Sequence, residues 1–498
     1  MKIFIPFILA LISINSHGSV CSSLAEDTPT LAGGRVKPVF VLAKESIKFL
    51  TGKSTFESEQ PLTTFCRIID AGKIKSELSF PLLVEHVDTK KLLGLKYDDK
   101  NLGAFKLIAS KDLIRSEVLK QKENNSYKKD LTKLWNRIGT FEQIYNGEAL
   151  QIYNTHSDGT NKWSPISEIL EKENSDLIIK NSKELYINAN GDGFLLEMTY
   201  VKSHIFSYSL LLCLLVIFIT VLSKSMKWPV ILTSGILILE TVGITLRVLI
   251  SGRAPITNMY ETVMFSGYGA TIIALCILYF RRDKIFLLAG LGYNILCLFM
   301  MMFANNMLNS SISPLVPVLR DNFWLSTHVT TIILSYAALA LSWLVANITL
   351  FKMRFKLLTT KDYRYYQDLI YTCIKVGIIL LAAGIILGGI WADYSWGRFW
   401  GWDPKETWSL IVLLFYMVIL HGRTSTWITT HRFIILSAAG FMTVMMAWFG
   451  VNYILASGLH SYGFSEGGAI FLGSFFIIQI VILIICGKKS FANTVKDE

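Results

Sequence analysis

Tryptophan and glycine alternate within one short segment of this chain. Five of the twelve tryptophans fall within residues 391–408, namely Trp391, Trp396, Trp400, Trp402 and Trp408. The plainer interpretation is an aromatic belt at the lipid–water interface, although a belt needs only a few tryptophans at each helix end. Because Gly397 and Gly401 let a ligand approach the backbone closely, the spacing also predicts a flat aromatic platform for a large, planar, apolar ligand.

The end of the same segment can also begin a helix. Asp403 is a favourable N-cap, Pro404 is a favourable first helical residue, and Glu406 has the spacing of a capping box. We predict that Asp403 and Glu406 start the next helix, either alone or together with a role in binding the ligand.

Two histidines border this segment. His328 comes before it, at the start of the apolar stretch 327–351, and His460 comes after it, in the loop that follows the apolar stretch 432–455. A lone imidazole at a membrane boundary usually serves as a hydrogen-bonded interfacial residue. Two imidazoles beside an aromatic platform favour a haem site, since neutral imidazole is a standard axial ligand to haem iron. His421 lies about 27 Å from the start of its predicted helix, at 1.5 Å per residue. It is therefore too far away to bind the same metal as His328 and His460, and a haem-binding role for it would require a second site near the other membrane face.

Charged residues also occur in and beside the second apolar stretch. Glu240 and Arg247 project from one helix face, which indicates either a functional pathway or an interhelical hydrogen bond. Asn258 and Glu261 have the spacing of another capping box. Arg253 lies just before them and is a candidate partner for an anionic group such as a propionate.

Nine apolar stretches must position these residues. Each approaches the roughly 20 residues that span a bilayer, and they are 205–223, 228–250, 263–280, 285–303, 327–351, 374–391, 405–421, 432–455 and 469–487. The 498 residues are 52% hydrophobic and 17% charged, against roughly 25% charged in soluble domains. This composition excludes an ordinary soluble enzyme. The predicted fold class is mainly α, a polytopic membrane bundle of about nine transmembrane helices.

Basic residues collect in alternate connections between these stretches. The clusters are 224–227, 281–284, 352–364, 423–432 and 488–496. Lys and Arg concentrate in cytoplasmic loops, so the tryptophan segment and both bordering histidines are predicted on the outer side. The excess of 48 basic over 37 acidic residues therefore indicates membrane orientation, and no nucleic-acid partner is predicted.

The front of the chain has the pattern of an exported domain. Residues 1–22 contain Lys2, about a dozen apolar residues and then small or polar residues, as a signal peptide does. Residues 23–200 are predicted to be exported, and residues 201–227 to hold the first transmembrane helix. His86 and His156 each stand alone there, which is typical of solvated or structural histidines.

The secondary structure of this front segment is mixed. Residues 38–50 and 111–146 have helical spacing, whereas residues 78–87 and 184–201 predict strands and turns. The expectation is an α+β or mainly helical domain. Cys21 and Cys66 are candidates for a disulfide in an oxidising compartment, and the chain contains no CxxC or CxxCH sequence.

The sequence WGRFWGWDPKETWSL (396–410) resembles the tryptophan-rich WWD signature of haem-handling proteins, WGxxWxWDxxE, in full. The order of the histidines around it is similar to that of the CcsA (ResC) branch of the system II cytochrome c synthetase. This resemblance covers residues 228–487. More weakly, GGRVKP (33–38), the helix that follows it and the first span are similar to the C-terminal part of the ResB-type partner.

The resemblance implies a set of haem ligands. His328 and His460 would be the axial ligands of haem b in an external site beside the WWD loop (391–408). His421 would be one ligand of a transmembrane entry site, with His431 as a competitor for that role. The family's other entry-site histidine lies on early helices of the partner that have no counterpart here, so a separate ResB-like subunit or an altered entry site is implied.

The resemblance also implies a function and a location. The chain would be a subunit of a haem lyase that attaches haem b to CxxCH motifs of exported apocytochrome c, with thiol-reducing proteins as further partners. It would lie in the bacterial inner membrane with its front domain in the periplasm. Two alternatives are a haem carrier or exporter without ligase activity, and a non-catalytic assembly subunit.

Overall fold

The structure, a computed structural model, describes residues 20–121, 126–304, 307–312, 321–355, 358, 360–455 and 467–487. The chain divides into two compact units, with the boundary between Thr199 and Tyr200. The predicted signal peptide, residues 1–22, lies outside the described residues except for Val20–Ser22, which form a short 3₁₀ turn. Its cleavage therefore stays a prediction.

The first unit is mainly helical. Its helices are α1 (Val39–Thr51), α2 (Pro61–Lys73), α3 (Val87–Leu92), α4 (Ala104–Ala109), α5 (Lys111–Lys120), α6 (Ser126–Tyr145), α7 (Ile166–Leu170) and α8 (Ser175–Asn190), and α9 (Leu195–Lys202) contains the boundary between the units. Its described strands form antiparallel hairpins of β1 (Pro29–Ala32) with β2 (Arg35–Pro38), β3 (Pro81–Leu83) with β4 (Asn101–Gly103), and β5 (Gln151–Thr155) with β6 (Asn161–Pro165).

Apolar side chains of α1, α2 and α6 form the core of this unit. Ile47, Phe65 and Phe141 are fully buried there, and Phe80 stacks on Phe141 with ring centroids 5.7 Å apart. Helix α1 ends where Gly52 adopts φ +77°, a conformation that glycine enters without a steric penalty. The predicted helix over residues 38–50, with its end at this glycine, is confirmed.

The other secondary-structure predictions for this unit differ in outcome. The helical pattern over 111–146 is confirmed as α5 and α6, and β3 lies within the strand predicted over 78–87. The prediction of strands over 184–201 is wrong, since α8 and α9 occupy that region. Aromatic and β-branched residues favour strands only where a neighbouring strand is available. Here Gly191, at φ +84°, separates two helices instead.

A charged cluster joins α6 to the segment after β3. Glu85 accepts from Lys133 Nζ at 2.6 Å and from Arg137 Nη2 at 2.8 Å. Arg137 is buried and also donates to the carbonyls of Phe49 and Leu83. Burial opposes ionisation of Glu85, but the hydrogen bonds and charges of Lys133 and Arg137 outweigh it and lower the pKa of that carboxyl.

The isolated histidines of the first unit, and Cys66, make structural contacts. His86 is the N-cap of α3 and accepts from the backbone N–H of Asp88, and His156 Nε2 lies 3.0 Å from Ser164 Oγ. The interpretation of both as structural histidines agrees with these contacts. Cys66 is disulfide-bonded, whereas the side chain of Cys21 lies outside the part of the chain that the structure describes.

Long helices make up the second unit. They are α10 (Ile205–Leu222), α11 (Lys227–Ser251), α12 (Met259–Arg281), α13 (Lys284–Phe303), α14 (Asn322–Arg354), α15 (Thr360–Trp396), α16 (Pro404–Thr424), α17 (Thr430–Met445), which continues as a π-helical segment (Met446–Leu455), and α18 (Gly468–Gly487). Across the described residues, nine helical segments are long and apolar enough to cross a membrane. The predicted mainly α membrane bundle is confirmed.

Two helices extend well beyond their predicted spans. Helix α14 begins five residues before the predicted 327, with Asp321 as its N-cap. Helix α15 continues past the predicted 391 to Trp396. The WWD loop predicted over 391–408 is therefore shorter in the structure: the connection is residues 397–403, and the tryptophans at its two ends belong to helices.

Candidate functional site

Glycines of helix α15 face side chains of helix α14 at short range. A Cβ atom at Gly377 would lie 2.6 Å from Leu339 Cδ2, and one at Gly388 would lie 2.5 Å from His328 Cε1. Real Cβ atoms essentially never show contacts this short, so a side chain at either position would force its neighbour on α14 to move. The glycines therefore set the spacing of the helix pair and provide the space that the imidazole of His328 occupies.

The ring of His328 is oriented by a backbone carbonyl of α15. Its Nδ1 lies 2.8 Å from the carbonyl oxygen of Gly384. A carbonyl oxygen can only accept, so Nδ1 carries the proton and the lone pair of the neutral ring resides on Nε2. Metal-binding histidines are commonly held in this way, with the second ring nitrogen donating to a backbone carbonyl.

A cavity opens beside His328. About 1040 Å³ of empty space lies within it, a figure that includes open solvent at its mouth. Aliphatic side chains and glycines supply part of its wall. The aromatic and polar residues that line it are Thr257, Asn258, Thr262, His328, Tyr336, Trp391, Phe399, Trp400, Lys405, Glu406, Ser409, Trp448 and Asn452.

The five clustered tryptophans have different surroundings. Trp391 is 2% exposed and its ring centroid lies 5.9 Å from that of His328. Trp396 lies 6.2 Å from Trp391, with an interplanar angle of 31°. Trp400 and Trp402 are almost perpendicular, at 87°, and Trp408 packs half-buried against the membrane core.

The predicted flat platform is therefore wrong. Trp391 and Trp400 line the cavity, whereas Trp402 is 71% exposed. The reason is that three of the five residues are helical, and the loop between them turns sharply, with φ +67° at Gly397 and +56° at Trp402. Successive indoles consequently point in different directions instead of forming one plane.

The predicted start of α16 is confirmed. Asp403 and Glu406 form a reciprocal capping box with Pro404 in the first turn. The carboxylate of Glu406 accepts from the backbone N–H of Asp403 at 3.1 Å and also from that of Gly401 at 2.8 Å. The cap thus fixes the end of the 397–403 loop, and with it the part of the cavity wall that Trp400 provides.

A buried ion cluster supports another part of the cavity wall. Glu261 is fully buried and pairs with Arg247 at 2.8 Å and with Arg253 at 3.1 Å. Its carboxylate also accepts from the backbone N–H of Thr257 at 2.8 Å. Thr257 and Asn258 line the cavity, so this cluster fixes the backbone of the turn that forms the wall.

Two predictions for this region are corrected. Asn258 is the N-cap of α12, accepting from Glu261 N–H at 2.9 Å, but the Glu261 carboxylate binds the arginines and Thr257, so the second half of the predicted capping box is wrong. Arg253 was predicted as a partner for a ligand anion. It instead donates to Glu261 and Thr257 and does not line the cavity.

Glu240 takes part in an interhelical hydrogen bond. It is 1% exposed and accepts from Asn294 Nδ2 at 2.9 Å. Arg247, seven residues further along α11, is paired with Glu261 rather than with Glu240. Of the two predicted interpretations, the structure supports the interhelical hydrogen bond.

The other predicted histidine ligands are not brought to the cavity. His421 is exposed in the last turn of α16, roughly 25 Å along the helix from Pro404 at 1.5 Å per residue. His431 lies in the first turn of α17, where its Nε2 contacts the carbonyl of Gly487 at 3.2 Å. His460 lies outside the described residues. Among the predicted haem ligands, the described part of the cavity contains His328 alone.

Sequence reasoning missed several residues of the cavity wall, and two of them come from one unusual segment. Trp448 and Asn452 come from the π-helical segment after α17, which the apolar pattern represents as one uninterrupted span. π-Helical turns often occur at functional sites. The signal available in the sequence was Asn452, a polar residue in an otherwise apolar stretch.

The part of the chain that forms the cavity is similar in sequence to known proteins. Residues 256–460 match the family model described as "Cytochrome C assembly protein". The chain is 33% identical over 304 residues to the cytochrome c biogenesis protein CcsA of Guillardia theta, covering 53% of this chain and 99% of that protein. It is 37% identical over 223 residues to CcsA of Chlamydomonas reinhardtii, covering 43% of this chain and 62% of that protein.

A longer relative extends the similarity. The protein NrfI of Wolinella succinogenes is 28% identical over 493 residues, covering 86% of this chain. The chain spans about half the length of that relative, 53%. The matched share of this chain is larger than its membrane unit, so the similarity continues into the first unit.

Proposed function

Because this chain belongs to the CcsA family of cytochrome c biogenesis proteins, we propose that its membrane unit binds haem b as a substrate in the cavity beside His328. The predicted resemblance to CcsA-type proteins is confirmed, whereas the WWD signature stays a prediction. The ResB-like character of residues 23–200 stays a prediction. The nine helices of the described residues that are long and apolar enough to span a bilayer, together with the family, make the chain a multi-pass membrane protein.

The observation that carries this proposal is the setting of His328. Its Nδ1 contacts the carbonyl of Gly384, so Nε2 bears the lone pair that a haem iron requires. The same side chain lines a cavity that is walled in part by Trp391, Trp400 and Trp448. A ligating nitrogen beside aromatic side chains suits the iron and the flat apolar ring of an iron porphyrin. His460 is proposed as the second axial ligand from the family resemblance.

The proposed reaction joins haem b to an exported apocytochrome c. Each cysteine S–H of a CxxCH motif adds across one vinyl C=C of the haem, so one S–C bond and one C–H bond form per thiol. The overall addition needs no external oxidant or reductant. The chain's contribution is positioning, which lowers a barrier without any protein nucleophile.

We place the chain in the lipid bilayer of a bacterial inner membrane, with residues 23–200 in the periplasm, as the loop charges predict. A ResB-like subunit would complete an entry site that includes His421, and thiol-reducing proteins would keep the substrate cysteines reduced. Three of the predicted haem-binding tryptophans lie outside the cavity wall and would contribute to the region around the bound haem: Trp396, Trp402 and Trp408.

One experiment separates this function from its alternatives. The full chain is expressed with a ResB-like partner and a CxxCH apocytochrome, and both its haem spectrum and covalent haem on the apocytochrome are measured. We expect a bis-histidine spectrum that His328→Ala abolishes, together with covalent product. Haem binding without product would favour a carrier or exporter, and absence of bound haem would favour a non-catalytic assembly subunit.

A further inference from the structure

Three cations from three helices converge on one face of α15, at the end of the bundle that the loop charges predict to face the cytoplasm. Arg281 ends α12 and donates to Thr372 Oγ1 at 2.8 Å. Lys375 Nζ lies 4.7 Å from the ring centroid of Tyr371, and the guanidinium carbon of Arg423, on α16, lies 3.9 Å from the same centroid. Together with a neighbouring carboxylate they form a group that is named the Tyr371 patch: Arg281, Asp368, Tyr371, Thr372, Lys375 and Arg423.

The Tyr371 patch carries more positive than negative charge. Asp368 pairs with Arg423 Nη2, and its carboxylate balances that arginine. Arg281 and Lys375 are exposed, and their contacts in the patch are with a neutral hydroxyl and with the face of an aromatic ring. A guanidinium has five N–H groups and an ammonium has three, so both side chains keep donors for an anion.

The same face of α15 continues as an apolar stripe towards the middle of the bundle. Ile379, Ala383 and Ile386 follow Lys375 at the spacing that places residues on one helix face. Ile379 is 67% and Ile386 is 55% exposed, and Ala383 is also exposed. At 1.5 Å per residue the stripe extends roughly 16 Å beyond Lys375, about half of the roughly 30 Å hydrocarbon core. Its length therefore matches one leaflet of a bilayer.

Aromatic side chains beside the patch fit the depth of lipid headgroups. Tyr279 is 74% exposed and comes just before Arg281 on α12, and Trp427 is 55% exposed in the connection after Arg423. Tyrosine and tryptophan are enriched at the boundary between membrane and water. The cations are thus expected at the level where lipid phosphates lie.

We propose that the Tyr371 patch binds the phosphate of an anionic phospholipid whose acyl chain lies along the apolar stripe. The phosphodiester supplies a negative charge and oxygen acceptors for Arg281 and Lys375, as headgroups do in basic sites between transmembrane helices. The stripe favours a lipid over a soluble phosphate, because it provides a surface for an acyl chain. Lys375 lies roughly 20 Å along α15 from Gly388 at 1.5 Å per residue, so this site is separate from the cavity and does not depend on the proposed function.

The test measures lipid binding to the purified full chain by native mass spectrometry. Delipidated protein in detergent is titrated with dioleoylphosphatidylglycerol, which is anionic, and separately with zwitterionic dioleoylphosphatidylcholine. We expect the first phosphatidylglycerol to bind more tightly than phosphatidylcholine. Lys375→Gln and Arg281→Gln should each weaken phosphatidylglycerol binding roughly fivefold, the contribution of one cation near a charged headgroup. Both side chains are exposed, so neither substitution disturbs the core.

Three further variants provide the controls. Lys284→Gln removes an exposed cation from outside the patch, in the first turn of α13, and should leave phosphatidylglycerol binding unchanged. Asp368→Asn removes the carboxylate that competes for Arg423 and should tighten binding several-fold. Asp283→Asn makes the same change of charge at the N-cap of α13, where asparagine caps equally well, and should have no effect.

Three results would overturn the site. If Lys284→Gln weakens binding as much as Lys375→Gln, the charge of the whole membrane face attracts the lipid. Equal affinity of wild type for the two lipids would show that the patch does not recognise an anionic headgroup. Displacement of phosphatidylglycerol by an equal concentration of glycerol 3-phosphate would assign the patch to a soluble phosphate instead of a lipid.

Discussion

Gly388 of α15 faces the imidazole of His328 on α14 so closely that a Cβ at position 388 would lie 2.5 Å from Cε1 and 3.0 Å from Nδ1. A methyl group there cannot be accommodated while the ring keeps its place, because real Cβ contacts are longer. The ring would have to leave the carbonyl of Gly384, and its tautomer and direction would change.

Gly388→Ala is therefore expected to lower the haem content of the purified protein several-fold, measured as the Soret-to-protein absorbance ratio. Gly377→Ala is the control, since its Cβ meets Leu339 on the same helix pair, away from His328. We expect Gly377→Ala to lower stability but to retain haem. Equal haem loss in both variants would mean that helix packing, and not the position of the ring, is responsible.

Two substitutions of Asp403 distinguish its role as the N-cap of α16 from a direct role in binding the ligand. Asparagine caps helices as well as aspartate does, whereas alanine costs about 0.5–2 kcal/mol. Asp403→Asn is therefore expected to retain both stability and haem, and Asp403→Ala to lose both, measured by thermal unfolding and haem content. If the asparagine variant loses haem as fully as the alanine variant, the charge of Asp403 serves the ligand.

A second N-cap provides the comparison for that experiment. Asp283 caps α13 by accepting from Ile285 N–H at 2.8 Å, at the end of the α12–α13 pair remote from the cavity. Asp283→Ala should lower the unfolding temperature to a similar extent while the haem content is unchanged.

The ion cluster around Glu261 is expected to dominate the stability of the second unit. Its removal leaves Arg247 and Arg253 buried, with side-chain exposures of 0% and 5%, and breaking a buried pair costs about 3–5 kcal/mol. Glu261→Gln should sharply lower the unfolding temperature and the yield from membranes. Asp368→Asn, which breaks the more exposed pair with Arg423, should cost only about 0–1 kcal/mol. Similar losses in the two variants would contradict a structural role for the cluster.

The stability of the first unit should depend on pH through Glu85. Lys133 and Arg137 lower its pKa in the folded state below the ordinary 4.5. A depressed folded pKa contributes stability that is complete above the unfolded value and is lost as pH falls through the folded one. Hydrogen-exchange protection of α6 in the full chain, corrected for intrinsic rates, is expected to fall as pH drops below 4.5.

Glu85→Gln removes the titrating group. In this variant the hydrogen-exchange protection of α6 should be lower at neutral pH and should vary less as the pH falls. Lys133→Met removes one of the two cations and should reduce the pH dependence without abolishing it. An unchanged acid dependence in Glu85→Gln would assign the effect to another carboxyl.

Local properties of the chain were predictable from the sequence. The spans followed from apolar length, because a helix in lipid must satisfy every backbone group internally and must be long enough to cross. The start of α16 at Asp403 and Pro404 followed for a similar reason, since a cap involves only residues within one turn. His328 was identified because the loop charges place it and His460 on the same side of the membrane as the tryptophan segment.

Residues 184–201 and the tryptophan platform show where such reasoning fails. The aromatic and β-branched residues of 184–201 suited a strand, but no partner strand is there and the segment is helical. The tryptophans were expected to share a plane because they are close in sequence. Their directions depend instead on helix phase and on the loop turn at Gly397, neither of which residue types reveal.

The tryptophan-rich segment, the spans and the helix caps can thus be predicted from short-range patterns in the sequence. The tertiary structure decided which of these side chains meet. Trp391 reaches His328 only because the glycines of α15 allow close packing against α14, and Trp448 joins them only through a π-helical turn far along the chain. Contacts between distant segments depend on the register and spacing of packed helices, and that is a property of the assembled core rather than of any one stretch of sequence.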